Sequence, residues 1–251
     1  MEAAARVSEA LLAVSGITKR FGGFTALDGV DLSIAPGERL GLIGPNGSGK
    51  STLVSCIAGT LRSEAGSIRL LGRDISREPA FKRVHLGIAR SFQIPRPFAS
   101  MTVADNLRIP LLYSNRGQTP FPARRNAGSD PAFEILEMVG LAAKANAMSG
   151  SLTQVDMRKL ELARAIAANP RLLIADESMA GLSASEVDEI LALLLAMKGR
   201  GVAVIMIEHV MRAVMRFSER IAVLVAGRKI ADGEPKAVVA MPDVVAAYLG
   251  E

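Results

Sequence analysis

The chain has 251 residues, of which 49% are apolar, and it carries a formal net charge of +5. This length and composition allow a sizeable core in one domain, and the longest uncharged apolar runs are shorter than the roughly 20 residues of a membrane helix. The basic residues are scattered, Trp is absent and aromatic residues make up only 4%, which argues against a base-stacking nucleic-acid surface.

The beginning of the chain predicts antiparallel strands in a protein of the cytosol. Residues 1–16 do not have the pattern of a secretory signal peptide, and Cys56 is the single cysteine, so we expect a cytosolic chain without an internal disulfide. Residues 11–17 (LLAVSGI) and 29–40 (GVDLSIAPGERL) alternate apolar and polar positions and contain Gly and Pro turns. This alternation is typical of antiparallel strands at one side of a fold.

The next element is a short apolar strand followed by a glycine-rich loop. Residues 44–52 read GPNGSGKST and match the pattern G-x-x-x-x-G-K-[ST], with an apolar run before them and a helical pattern after them. Glycines allow the backbone N–H groups to face phosphate oxygens, while a Lys reaches the β- and γ-phosphates and a Ser hydroxyl binds Mg²⁺. The alternative is a glycine-rich turn with an exposed Lys. The candidate nucleotide-binding residues are Gly44, Pro45, Asn46, Gly47, Ser48, Gly49, Lys50, Ser51 and Thr52.

The middle of the chain predicts an inserted helical lobe. Residues from about 95 to 150 are first rich in Pro and then helical, with Asp130 and Pro131 as the expected start of a helix that Gly140 ends. We therefore expect an inserted helical subdomain at 95–160 and a nucleotide-binding core at 1–94 and 161–251. Gln93 lies where the core gives way to this lobe, and by itself it could equally be a polar loop residue.

Acidic and imidazole side chains end two of the later strands. Short apolar runs at 171–177, 201–209 and 220–227 predict buried strands of an α/β sheet. Asp176 and Glu177 follow the first run, and His209 follows the second. Ligands of open α/β sheets bind at the carboxyl ends of strands, so Asp176 could hold Mg²⁺, Glu177 could accept a proton from water and His209 could contact a γ-phosphate. The alternatives are a solvated edge for the two acids and a structural role for the His.

Together, the GPNGSGKST loop, Gln93, LLIADE and His209 resemble the ATP-binding subunit of an ATP-binding cassette (ABC) transporter over essentially the whole chain. The resemblance implies an α/β P-loop NTPase fold of the ABC ATPase type, with a mixed sheet core, an antiparallel β subdomain and an inserted α-helical subdomain. It also implies ATP and Mg²⁺ as cofactors, and metal ligation by Ser51, Gln93 and Asp176. Phe21 resembles the aromatic residue that stacks on adenine, and Glu177 and His209 resemble the catalytic Glu and the switch His.

Four shorter segments are similar to the ATP-binding subunits of branched-chain amino acid importers, with urea importers and lipopolysaccharide exporters as near relatives. These segments are ARSFQ, MTVADNL, IEHVMRAVM and VVAAYLGE. The resemblance implies a head-to-tail dimer with a second ABC ATPase subunit, which we expect to be a different chain. The segment AGLS at 180–183 would contact that subunit. It also implies membrane permease subunits on which the helical lobe docks, a solute-binding protein reached indirectly, no nucleic acid, and a location at the inner face of the cell membrane.

One segment departs from the family pattern. The family's Leu-Ser-Gly-Gly-Gln signature is replaced by residues 152–156 (LTQVD), so that Val155 stands at a glycine position and Asp156 at a glutamine position. At about 5 Å and an effective dielectric near 20, repulsion between Asp156 and a partner's ATP would amount to roughly 3 kcal/mol. Asp156 also suits a helix N-terminus, where capping or the helix dipole would contribute about 1 kcal/mol, and the two interpretations are compatible.

The departure leaves two functions open. The first is a transport ATPase whose own site is complete but which needs a partner with a normal signature. The second is a regulatory subunit that binds ATP and scarcely hydrolyses it. An ABC-type ATPase acting on DNA or ribosomes is a weaker alternative, because such proteins carry long coiled coils or two tandem cassettes, which we do not find in this sequence. A simple phosphate-loop kinase is also disfavoured, because it would not explain Gln93, His209 and the helical lobe together.

Overall fold

The computed structural model describes residues 10–91, 96–114 and 130–249. Two sheets and a series of helices make up this part of the chain. The strands are β1 (Leu12–Phe21), β2 (Phe24–Ile34), β3 (Arg39–Ile43), β4 (Ala65–Leu70), β5 (Arg73–Asp74), β6 (Ile88–Ser91), β7 (Leu172–Asp176), β8 (Ala203–Ile207), β9 (Arg220–Val225) and β10 (Arg228–Gly233). The α-helices are α1 (Lys50–Ala58), α2 (Ala80–His85), α3 (Val103–Ser114), α4 (Pro131–Met138), α5 (Gln154–Ala167), α6 (Ala184–Ala196), α7 (Met211–Phe217), α8 (Pro235–Val239) and α9 (Pro242–Leu249).

The larger sheet has six strands in the order β10-β9-β3-β8-β7-β6. Strands β6, β7, β8, β3 and β9 are parallel, and β10 pairs antiparallel with β9. The carboxyl ends of β3, β7 and β8 therefore lie at one edge of the sheet. The smaller sheet, in the order β2-β1-β4-β5, is antiparallel throughout. This arrangement confirms the predicted α/β class with a mixed sheet and a separate antiparallel sheet.

Each face of the larger sheet contributes to a separate hydrophobic cluster. Leu172 packs with the antiparallel sheet and α1, whereas its neighbour Leu173 packs with helices α3 to α6. Because successive strand residues point to opposite faces, a continuous apolar strand such as β7 is needed to fill both clusters. Within residues 10–91, 96–114 and 130–249, none of the helices combines the length and apolar character of a membrane span.

The helical region follows the predicted capping pattern. Asp130 accepts a hydrogen bond from the N–H of Ala132 at 3.0 Å, Pro131 occupies the first turn of α4, and Gly140 has a positive φ of 74° just beyond the helix. Helix α5 runs from Gln154 to Ala167 through the expected boundary at 160, and its later residues pack on β7. The subdomain limits 95–160 remain a prediction, and residues 92–95 and 115–129 lie outside the described part of the chain.

A buried arginine fixes the far end of α1. The Arg83 side chain is 2% exposed, and its Nη1 donates to the carbonyl oxygens of Cys56 at 2.7 Å and Ile57 at 2.8 Å. Its Nε and Nη2 donate to the carbonyls of Glu78 and Ser76. The last carbonyls of a helix have no intrahelical partner and carry partial negative charge, so a guanidinium is well suited to this position. Arg83 thereby anchors the helix whose other end carries the glycine-rich loop.

Candidate active site

The glycine-rich loop between β3 and α1 has a backbone that requires glycine. Gly44, Gly47 and Gly49 have φ values of 148°, 77° and 103°. A Cβ atom at Gly44 would lie 2.0 Å from the carbonyl oxygen of Leu224, and one at Gly49 would lie 2.6 Å from that of Ala26. The loop is therefore packed too closely at both ends to accept a side chain. This cradle of backbone ahead of a helix N-terminus suits an anionic group.

The loop is also joined to the rest of the core through Gly227, at the turn between β9 and β10. The N–H of Gly227 donates to the carbonyl of Ser48 at 3.0 Å, and its carbonyl accepts from the N–H of Asp28 at 2.9 Å. Gly227 has a φ of 78° and no room for a Cβ beside Ala26. The glycine-rich loop, β2 and the β9–β10 turn are thus joined by hydrogen bonds into one unit.

Lys50, the first residue of α1, folds back over the loop. Its side chain is buried, and Nζ donates to the carbonyls of Gly44 at 2.8 Å and Pro45 at 2.9 Å. Burial lowers the pKa of Lys50 from its ordinary value, while the nearby Glu177 and Asp176 act in the opposite direction. The alternative of an exposed lysine on a plain turn does not describe this geometry, because the ammonium is held at the loop by main-chain acceptors.

Ser51 and Asp176 are linked by a hydrogen-bonded chain. The Ser55 hydroxyl donates to the carbonyl of Ser51 at 2.6 Å and accepts from Arg90 Nη1 at 3.0 Å. Arg90 Nη2 donates to Asp176 Oδ2 at 2.5 Å. The site residues from β6, β7 and α1 are thereby brought together. Arg90 was not predicted as a site residue from the sequence. The available signal was a charged residue within the otherwise uncharged strand segment IARS.

Glu177 leaves β7 in an unusual conformation. Its φ is 46°, a left-handed value that is costly for a residue with a Cβ. Its N–H donates to the carbonyl of Ile207 at 2.9 Å, and its Oε1 lies 3.0 Å from His209 Nε2. The structure therefore places the predicted catalytic pair within hydrogen-bond distance, at the ends of the adjacent strands β7 and β8.

A second acid next to His209 was not predicted. Glu208 is 3% exposed, and its Oε1 accepts a hydrogen bond from the N–H of Met179 at 2.8 Å. Burial raises the pKa of Glu208 to about 6. Through Met179, this carboxyl is tied to the loop of residues 180–183, whose last residue, Ser183, forms a capping box with Glu186 at the start of α6. Its position before His209 at a strand end was the only hint in the sequence.

Two predicted residues are not joined to this cluster by the described contacts. Phe21 is half exposed at the end of β1, with the Lys19 ammonium 5.2 Å from its ring centroid. Gln93 lies outside the described residues. The proposed adenine contact of Phe21 and the proposed metal contact of Gln93 remain predictions.

Asp156 lies in the first turn of α5, where a carboxylate is favourable to the helix N-terminus. Thr153 is the N-cap of α5, and its hydroxyl accepts from the N–H of Asp156 at 3.3 Å. The Asp156 carboxylate accepts from the Thr153 hydroxyl at 2.7 Å and from Lys144 Nζ, and the residue is 6% exposed. Desolvation would raise the pKa of Asp156, but the bonds from Lys144 and Thr153 outweigh it and hold the pKa below its usual value. Lys144 therefore offsets part of the charge of Asp156 within this chain, and the repulsion of roughly 3 kcal/mol from a partner's ATP remains a prediction.

Comparison with known proteins identifies the family of the chain. A family model described as ABC transporter matches residues 27–180, and one described as branched-chain amino acid ATP-binding cassette transporter matches residues 228–251. The chain is 39% identical to the high-affinity branched-chain amino acid transport ATP-binding protein BraF of Pseudomonas aeruginosa, over 98% of this chain and 100% of that protein.

Solved structures show the same cassette. An ATP-binding cassette of an ABC transporter in its ADP conformation is 34% identical and has a TM-score of 0.84, covering 96% of this chain and 99% of that one. A dimeric ATP-binding cassette in a post-hydrolysis state, bound to ADP and Pi, is 26% identical with a TM-score of 0.77, covering 89% of this chain and 98% of that one.

Proposed function

The chain belongs to the ABC transporter family of ATP-binding proteins, and on that premise we propose that it powers the import of branched-chain or related amino acids. The family match and the full-length likeness to BraF support this assignment. The match of residues 228–251 to the branched-chain cassette model supports this solute class over urea or lipopolysaccharide.

ATP and Mg²⁺ are the proposed cofactors. The backbone cradle that a Cβ would fill, together with the Lys50 ammonium, fits a polyphosphate. The Ser51 hydroxyl, Asp176 and Gln93 would hold Mg²⁺, an ion that prefers oxygen ligands and neutralises charge on phosphate oxygens. In this proposal Glu177 would accept a proton from water or orient it, and His209, whose Nε2 lies 3.0 Å from the Glu177 carboxylate, would orient Glu177.

The single observation that carries the proposed ATP hydrolysis is the pair Glu177 and His209 near Lys50. Glu177→Gln keeps the size of the side chain and removes the base, so we expect ATP turnover to fall by about 10²- to 10³-fold while ATP binding persists. Glu189→Gln, an exposed acid on α6 that pairs with Lys159, is the matched control and should leave turnover unchanged. Equal turnover by Glu177→Gln and the unmodified protein would remove Glu177 from the mechanism.

The working form we propose is a head-to-tail dimer with a second, related ATPase subunit. Docked on membrane permease subunits at the cytoplasmic face, it would act on solute delivered by a binding protein. The dimeric relative bound to ADP and Pi supports the dimer. Reconstituted with its permease, the complex should hydrolyse ATP faster when a leucine-loaded binding protein is added, and not when urea is supplied instead. Stimulation by urea alone would reject the amino-acid assignment.

The second candidate function, a nucleotide-binding regulatory subunit with little hydrolysis, rests on Val155. A branched side chain at the family's glycine position restricts close backbone approach to a partner's nucleotide. If this restriction matters, the chain alone turns over ATP slowly and Val155→Gly raises the rate. Full turnover by the unmodified chain alone would reject both the regulatory role and the need for a partner's signature.

A further inference from the structure

Arg90 is a charged residue in an otherwise buried strand. It lies on β6 opposite Ile174 of β7, between the buried residues Ala89 and Ser91, and its side chain is only 13% exposed. Guanidinium groups in such positions are retained when they pair with acids, because an unpaired buried charge is strongly unfavourable. The position therefore needs a specific electrostatic partner.

The Arg90 fork contacts Asp176 directly and reaches the main chain of Ser51 through Ser55. Nη2 donates to Asp176 Oδ2 at 2.5 Å, and Nη1 donates to the Ser55 hydroxyl, which in turn donates to the carbonyl of Ser51. One guanidinium thus fixes β7 relative to α1. A lysine at this position could reach one of these partners, but it does not have the planar fork that holds two at once.

Arg90 compensates the charge of Asp176 directly. Asp176 and Glu177 act electrostatically on Lys50, and Arg90 forms an ion pair with Asp176. Glu208, at the end of the adjacent strand β8, interacts electrostatically with Glu177 and is a further acid nearby. A divalent cation approaching Asp176 therefore meets a carboxylate that is already paired with a guanidinium.

We propose that Arg90 is a positioning residue that neutralises Asp176 and so prevents it from binding a free divalent cation, leaving metal binding dependent on nucleotide phosphates. The proposal rests on the proposed function, since it assumes that Asp176 is a magnesium ligand. The phosphates supply the negative charge and the further oxygen ligands that an Asp176 carboxylate paired with Arg90 does not offer.

The test is Mn²⁺ binding to the protein without nucleotide, followed by electron paramagnetic resonance. Arg90→Gln removes the charge and should bind Mn²⁺ at least about tenfold more tightly than the unmodified protein. Arg90→Lys keeps the charge and should bind as weakly as the unmodified protein. The double variant Arg90→Gln with Asp176→Asn should lose the gain. Unchanged Mn²⁺ affinity in Arg90→Gln, or the same gain in Arg90→Lys, would overturn the proposal.

A second comparison keeps the charge matched. Asp176→Asn alone would leave the Arg90 guanidinium unpaired, so the double variant is compared with the unmodified protein, and their nucleotide-free Mn²⁺ affinities should be equal. A tenfold loss in the double variant would show that Asp176 binds the free cation and would refute the proposal. ADP binding to the unmodified protein in the presence of Mn²⁺ is measured separately. Failure of that binding would reject the proposed nucleotide site itself, whereas a negative result without nucleotide rejects only the role of Arg90.

Discussion

Asp156→Asn separates the two roles that the sequence left open for this residue. The substitution keeps the shape of the side chain but removes the charge that pairs with Lys144 and faces the N-terminus of α5. Because the Lys144 side chain is 47% exposed, the ion pair is worth at most about 1 kcal/mol, and the helix dipole adds about 0.5 kcal/mol. We expect a loss of about 1 kcal/mol in the free energy of unfolding, or about 2–4 °C in Tm.

The assays are urea unfolding and ATP turnover on the same preparations. Asp243→Asn, an exposed acid in the first turn of α9, is the control and should change stability by less than about 0.5 kcal/mol. Because the folded pKa of Asp156 is lowered, its contribution is complete above the unfolded value of about 4 and disappears as pH falls through the folded pKa. The difference between the variant and the unmodified protein should therefore narrow in acid. A tenfold rise in ATP turnover without loss of stability would support repulsion of a partner's ATP by Asp156 and refute its stabilising role in the first turn of α5.

The other predictions concern the loop, the anchor of α1 and the buried acid. Gly44→Ala places a Cβ 2.0 Å from the Leu224 carbonyl and should abolish binding of a fluorescent ADP analogue, whereas Gly47→Ala, with open space around it, should reduce stability by only about 1–2 kcal/mol. Arg83→Met removes the guanidinium donor of four carbonyl oxygens, of which that of Cys56 keeps a backbone donor, and should cost about 3 kcal/mol in urea unfolding; a cost below 1 kcal/mol would contradict the anchoring role. Glu208 has a pKa raised to about 6, so the folded state binds more protons than the unfolded state between about pH 4.3 and 6, and stability falls as pH rises through that range. Glu208→Gln keeps an acceptor for Met179 and should raise Tm at pH 8 but not at pH 4; no gain at pH 8 would contradict this.

The parts of the site that could be predicted are those fixed by local sequence or by strand ends. The glycines of residues 44–49 specify backbone conformations that other residues rarely adopt, so their spacing alone predicts the loop. Glu177 and His209 could be placed together because each follows an apolar run, and parallel strands align their carboxyl ends. The family resemblance was needed to give these residues roles.

The parts that could not be predicted depend on pairings between distant segments. Arg90 meets Asp176 86 positions further along the chain, and this contact exists only because β6 lies beside β7. Lys144 reaches Asp156 from a short 3₁₀ turn that precedes α5, which no periodicity in the sequence indicates. Charge compensation at both acids is therefore a product of tertiary structure, and sequence reasoning could assign the acids but not their partners.

The hydrogen bond from Gly227 to Ser48 has a consequence for how the protein is made. The phosphate loop emerges from the ribosome early, yet the strand leading into it lies between β8 and β9, and the loop itself is held by the β9–β10 turn. Nearly all of the chain must therefore be synthesised before the loop can form its hydrogen bond with the β9–β10 turn. Because chains are synthesised from the N-terminus and distant pairings form slowly, a nascent chain that ends before β9 should be unable to capture nucleotide.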